Sequence, residues 1–144
     1  MGIGRGGSMA RKVLIVDDVA FVRKVIAKIL TDANYQVVGE AEDGPTAIQL
    51  YKKFRPDVVT MDVVMPQMSG IEAARKILQL DKAARVVMIS AMEQESLIME
   101  SINAGARDYI LKPFSAEEII KTLDRVFVGD DQMVEKAIAK VQLR

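Results

Sequence analysis

The sequence predicts a doubly wound α/β fold, in which a five-stranded parallel sheet is covered by helices on both faces. Three observations carry that prediction. Short runs rich in Val, Ile and Leu alternate five times with segments whose apolar residues recur every three to four positions. The runs at 13–16, 58–61 and 86–89 are almost continuously apolar, as strands without a wet face must be. Ser, Asp, Pro and Gly cluster at the junctions between the two kinds of segment, which marks successive βα units.

Residues 1–8 are Gly-rich, precede a second Met at position 9, and read as an expression scar outside the fold. The first strand, 13–16, stops at Asp17-Asp18; Phe21, Val22, Val25, Ile26, Ile29 and Leu30 then keep helical spacing until Asn34. The second strand, 36–40, is weakened by Gly39, and its helix opens at Asp43-Gly44-Pro45, where Asp can cap and Pro suits the first turn. The third strand ends at Asp62, and after Pro66 a helix opens at Ser69 with Glu72 three residues on, the pattern of a capping box. The fourth strand, 86–89, leads into a helix that stops at Gly105, a residue suited to a left-handed cap. The fifth, 109–111, is followed by Pro113 and a second capping pair, Ser115 and Glu118, opening a helix through Ile119, Leu123, Val126 and Phe127. Central places for the three apolar runs and edge places for the other two give the flavodoxin-like order 2-1-3-4-5. One domain over 9–128 accounts for all of this, and 129–144 reads as an extra C-terminal helix with Met133, Val134, Ala137, Ile138 and Val141 on one stripe.

Composition narrows the chemistry. Twenty Lys and Arg balance twenty Asp and Glu in 144 residues, so no basic excess exists for a nucleic-acid backbone or an anionic membrane. With neither Cys nor His, thiolate nucleophiles, zinc sites and imidazole bases are excluded. No apolar run approaches the roughly 18 residues of a membrane span, and a cytoplasmic location is expected. Ligands of doubly wound sheets bind beyond the carboxyl ends of the strands, and there the sequence places Asp17, Asp18, Asp62, Ser90 and Lys112. Singly, each has a bland explanation: Asp17 and Asp18 as helix caps, Asp62 as a turn former, Ser90 as a cap, Lys112 as a surface lysine. Jointly they crowd carboxylates on neighbouring strands about 4.8 Å apart, which calls for a hard cation, and oxygen ligands alone favour Mg²⁺.

The strings VLIVDD (13–18), DVVTMDVVMPQMSG (57–70), VVMISA (86–91) and AGARDYILKPF (104–114) resemble the receiver domain of two-component response regulators, over residues 10 to about 127. Among receivers the chain looks closest to the single-domain chemotaxis type, since no effector domain follows. The resemblance implies that Asp62 accepts a phosphoryl group from a histidine kinase. Asp18 would bind Mg²⁺ directly, Asp17 through water, and the main-chain carbonyl of Val64 would be a further ligand beside Asp62. Ser90 would be the switch hydroxyl, Tyr109 the switch aromatic, and Lys112 the partner of the phosphoryl group, with a cis bond before Pro113. The fourth helix carries Leu97, Ile98, Met99 and Ile102, a wider apolar arc than a core stripe needs; the resemblance points to Ile98 and Ile102, beside Tyr109, as an exposed docking pair.

Such a protein is a switch, not an enzyme acting on other substrates, and within the family its single-domain members act on the flagellar motor switch. Two departures qualify the likeness. Val64 and Met92 are apolar where many receivers carry amides or acids that place the hydrolytic water, so the lifetime of the phosphoryl group stays open. The stripe on 129–144 also needs a surface, either on its own domain or on a second copy. Two other readings compete: a receiver cut from a DNA-binding transcriptional regulator, and a Mg²⁺-dependent phosphotransferase acting on a small molecule through Asp62. The second wants an Asp two residues after the nucleophile, where Val64 stands.

Overall fold

The computed structural model describes residues 10–129 together with Ala139, so the expectations for 1–8 and for a helix over 129–144 fall outside the described residues, apart from Gly129 and Ala139. Within them five strands alternate with five helices: β1 (Lys12–Val16), α1 (Ala20–Asp32), β2 (Gln36–Ala41), α2 (Gly44–Phe54), β3 (Val58–Met61), α3 (Gly70–Leu80), β4 (Val86–Ser90), α4 (Glu95–Asn103), β5 (Asp108–Leu111) and α5 (Ala116–Val128). All strand pairs are parallel, in the order β2-β1-β3-β4-β5. The expected sheet order is therefore observed, with the three most apolar runs in the middle.

Local chemistry accounts for the helix starts. Asp43 accepts a hydrogen bond from the Thr46 amide at 2.8 Å, Ser69 from Glu72 at 3.1 Å and Ser115 from Glu118 at 3.0 Å; each such cap is worth about 1 kcal/mol. The start of α1 differs, because its N-cap, Val19, has no capping side chain. The weak second strand also has a structural cause. Register slips between Val13 and Leu14, which pair with Val37 and Gly39, so one residue of β2 is left over.

Alternation along the strands builds two cores. Leu14, Val16, Val59, Met61 and Met88 face α2, α3 and α4, whereas Val13, Ile15, Val58, Val87 and Ile89 face α1 and α5. Asp17, Asp62 and Lys112, each one step past its strand, continue the parity of the α1/α5 face. Among the described residues no helix is long and apolar enough to cross a membrane.

Candidate functional site at the carboxyl rim of the sheet

The sheet ladder runs one residue beyond each of the strands that build the rim. Val16 and Met61 are paired in register, the Asp17 amide donates to the Ala41 carbonyl at 3.0 Å, and the Asp62 amide donates to the Val16 carbonyl at 3.0 Å. Two acids are thus fixed on adjacent strands by backbone hydrogen bonds. On the far side, the Lys112 amide donates to the Ser90 carbonyl at 2.9 Å, and the Lys112–Pro113 peptide is cis.

Asp17, Asp18 and Asp62 each offer a carboxylate oxygen within 4.8 Å of the others. Asp17 is 1% and Asp62 7% exposed, whereas Asp18 lies open to solvent. Lys112 reaches across β4 to place its Nζ 2.8 Å from Asp17 and 3.2 Å from Asp62. Three carboxylates against one ammonium leave two negative charges in excess. Burial pushes the Asp62 carboxyl above its usual range; Lys112 opposes that rise and Asp17 adds to it. Burial works against the Lys112 ammonium too, but the Asp17 and Asp62 carboxylates outweigh it and hold the group above its ordinary value. Hard oxygen donors, excess negative charge and the absence of His and Cys fit a divalent cation such as Mg²⁺. Val64 follows in the same loop, and because the Gly70 amide already takes the Val63 carbonyl at 2.7 Å, Val64 offers the next carbonyl along the chain.

Two contributors left no legible mark in the sequence. Arg23 donates to the Asp17 carbonyl at 2.6 Å and to the Glu40 carboxylate at 3.2 Å, bracing the β1–α1 turn from within α1. Gly70, at the start of α3, packs against the end of β3 so closely that a Cβ there would lie 1.7 Å from the Asp62 carbonyl oxygen. Asp17 does use one oxygen as a local cap, accepting from the Val19 amide at 2.9 Å. Its other oxygen holds Lys112. Ser90 does not cap α4, whose N-cap is Gln94; its Oγ accepts from the Met92 amide at 3.2 Å. The Tyr109 hydroxyl in turn donates to the Met92 carbonyl. Ser90 and Tyr109 therefore grip the same residue from two sides.

The expected docking pair needs correction. Ile98 is 0% exposed and belongs to the core under α4, Ile102 is half-buried, and the ring of Tyr109 is only 1% exposed. Met99, 37% exposed, is the large apolar side chain that α4 presents to solvent. Ser101 shares the buried face of α4 with Ile98, and its burial is tolerated because its hydroxyl donates to the Leu97 carbonyl at 2.8 Å. The inward face of α4 thus includes a polar residue, and the core stripe lies elsewhere than the apolar residues alone would set it.

The sequence model of the response regulator receiver domain matches residues 13–124. The chemotaxis protein CheY of Thermotoga maritima is 45% identical over 118 residues, which is 82% of this chain and 98% of that protein. CheY of Bacillus subtilis is 47% identical over 117 residues, 81% of this chain and 98% of that one. Among solved structures, the CheX–CheY–BeF3–Mg complex from Borrelia burgdorferi superposes with a TM-score of 0.82 at 36% identity, covering 88% of this chain and 96% of that chain. A LuxR-family two-component response regulator from Aurantimonas gives 0.82 at 29% identity, covering 94% and 99%.

Proposed function

The chain belongs to the response regulator receiver family, and from that premise we propose that it takes a phosphoryl group from a histidine kinase onto Asp62. Mg²⁺ would be held by Asp17, Asp18, Asp62 and the Val64 carbonyl. The observation that carries the reading is the placement of Asp62, a buried acid at the end of a central strand with two carboxylates within 4.8 Å and an ammonium at 3.2 Å. When bound, Mg²⁺ supplies positive charge that offsets the approach of an anionic donor to an anionic site. An Asp62 oxygen attacks phosphorus while the donor's bond to phosphorus breaks, and the electron pair of that bond leaves with the donor. Asp17 is a poorer nucleophile, because both its oxygens are engaged, one by the Val19 amide and the other by Lys112. Lys112 pairs with the new phosphoryl oxygens as a point charge on a flexible stem.

Ser90 supplies the switch. Its oxygen accepts from Met92, but its own proton is available to a phosphoryl oxygen on Asp62. Drawing Ser90 inward moves Met92, whose carbonyl holds the Tyr109 hydroxyl, and so repacks the surface of α4, β5 and α5. That surface is the docking face of this reading, with Met99 and Ile102 as its apolar contacts on α4. The chemotaxis relatives, of which this chain covers 98% of the length at 45% and 47% identity, support a role in chemotaxis, and the output of this reading is the flagellar motor switch in the cytoplasm. Beyond its own phosphoryl group the protein turns over no substrate.

The test is intact mass after incubation with a small phosphodonor and Mg²⁺, followed by binding to a motor-switch peptide and to DNA. One phosphoryl adduct is expected on the parent and none on Asp62→Asn or in EDTA, with peptide binding gained on phosphorylation. Equal labelling of Asp62→Asn would overturn the acceptor assignment; gain of DNA binding instead of peptide binding would move the protein to the transcriptional class.

A further inference from the structure

Arg23 stands where a helix disfavours a cation. It is the fourth residue of α1, whose first turn carries no acid and whose N-cap, Val19, offers no capping side chain, and the amino end of a helix is the positive end of its dipole. The side chain nevertheless folds back over that end and is only 15% exposed. Its Nη1 donates to the Asp17 carbonyl at 2.6 Å, a short charge-assisted bond, and its Nε donates to the Glu40 carboxylate at 3.2 Å. Glu40 offsets the charge of the guanidinium, so what Arg23 adds to the rim is position rather than net charge.

The bond falls on one particular peptide. The Asp17 carbonyl and the Asp18 amide belong to a single planar unit, so holding the carbonyl fixes the plane from which the Asp18 side chain departs. The other polar atoms of Asp17 are already tied: its amide to the Ala41 carbonyl, one carboxylate oxygen to the Val19 amide and the other to Lys112. Asp18 is the open member of the acidic trio, exposed to solvent, yet its carboxylate reaches within 4.8 Å of those of Asp17 and Asp62. We infer that Arg23 is a positioning residue for the divalent cation: through the Asp17–Asp18 peptide it aims the Asp18 carboxylate at the site shared with Asp17 and Asp62. The inference rests on the cation site of the receiver reading and adds to it a residue that touches neither the cation nor the phosphoryl group.

The test is calorimetric titration of Mg²⁺ into the unphosphorylated full chain, at a temperature where circular dichroism shows each variant folded. Groups that orient a metal's ligands usually alter its affinity by roughly tenfold or more, so Arg23→Met should bind Mg²⁺ about tenfold more weakly than the parent. Labelling of Asp62 by a small phosphodonor should then need about tenfold more Mg²⁺ to reach half its maximal rate, with the rate at saturating Mg²⁺ within about twofold of the parent. Arg23→Lys keeps the charge but loses the fork that spans carbonyl and carboxylate, and should bind Mg²⁺ about threefold more weakly. A role in stability alone would lower the melting temperature and leave Mg²⁺ affinity unchanged, and a role through charge would tighten Mg²⁺ once the guanidinium is gone; either result overturns the inference. Should Arg23→Met not fold, Arg23→Lys decides, and an affinity equal to the parent's overturns it. A parent that binds no Mg²⁺ would overturn the cation site itself and this inference with it, whereas a parent that binds Mg²⁺ and is labelled, matched by Arg23→Met in both, would overturn the role of Arg23 alone.

Discussion

Replacing Lys112 by Met tests whether the rim is held together by charge. The substitution keeps the length of the side chain but removes the ammonium that lies 2.8 Å from Asp17 and 3.2 Å from Asp62. The carboxylates, with oxygens up to 4.8 Å apart, repel one another in both proteins; what the variant loses is the ammonium's attraction for Asp17 and Asp62, about 5–6 kcal/mol each at an effective dielectric of 20, less the cost of burying the ammonium. Asp18 is open to water and the Lys112 side chain is 20% exposed, so solvent relieves part of this and we expect a loss of about 2 kcal/mol. The loss depends on pH in a defined direction. Burial already holds the Asp62 carboxyl above its ordinary range, and Lys112 is the leading influence that lowers it. A carboxyl raised in the folded state binds its proton more tightly there than in the unfolded chain, so it favours folding at low pH and ceases to do so as pH rises through the folded value. Without Lys112 that value climbs further, and the deficit of Lys112→Met should be small near pH 4 and grow toward pH 8. Urea unfolding followed by circular dichroism in EDTA measures it. Mg²⁺ should then restore more stability to the variant than it adds to the parent, each tenfold excess over the dissociation constant contributing about 1.4 kcal/mol. Equal stability of the two proteins in EDTA at every pH, with equal gains from Mg²⁺, would refute the reasoning.

Two further outcomes follow from the packing. Ile98→Ala should lose about 2–5 kcal/mol in urea, since Ile98 is fully buried under α4, whereas Met99→Glu, at the exposed position of the same helix, should stay within about 0.5 kcal/mol of the parent and instead weaken binding to the proposed partner. Gly70→Ala should lose about 3 kcal/mol and take up phosphate poorly, because a Cβ 1.7 Å from the Asp62 carbonyl oxygen forces β3 and α3 apart at the acceptor; normal labelling of that variant would show that the acceptor strand tolerates the shift.

Much of this architecture was legible because each strand is a run of apolar residues closed by a polar one, and in a parallel sheet those closures share one rim. Asp17, Asp62, Ser90 and Lys112 could be placed together for that reason alone. Helix starts were legible wherever a cap was present, at Asp43, Ser69 and Ser115. What could not be read is contact between backbones and the rotation of single helices. Nothing in the letter at position 70 says that the Asp62 carbonyl passes within reach of it. Arg23 looks like any other polar residue of an amphipathic helix until its guanidinium is seen on the Asp17 carbonyl. Consecutive apolar residues at 97, 98 and 99 leave the inward direction of α4 undetermined, and a Ser at 101 gives no sign in the sequence that it shares the buried face with Ile98, its hydroxyl satisfied within its own helix.

The shared parity of Asp17, Asp62 and Lys112 has a consequence for how such a protein can change over generations. Val16 lies opposite Met61, and both face the same core. Adding or deleting one residue in β1 or β3 would turn an entire strand over, driving side chains of one core into the other and carrying its acid to the opposite side of the sheet. Selection for a foldable chain thus discards frame errors in these strands before chemistry is ever tested. Residues of the rim can be exchanged one at a time, and the loops that leave it lengthened, while the spacing between Asp17 and Asp62 is kept as a by-product of keeping two oily layers apart.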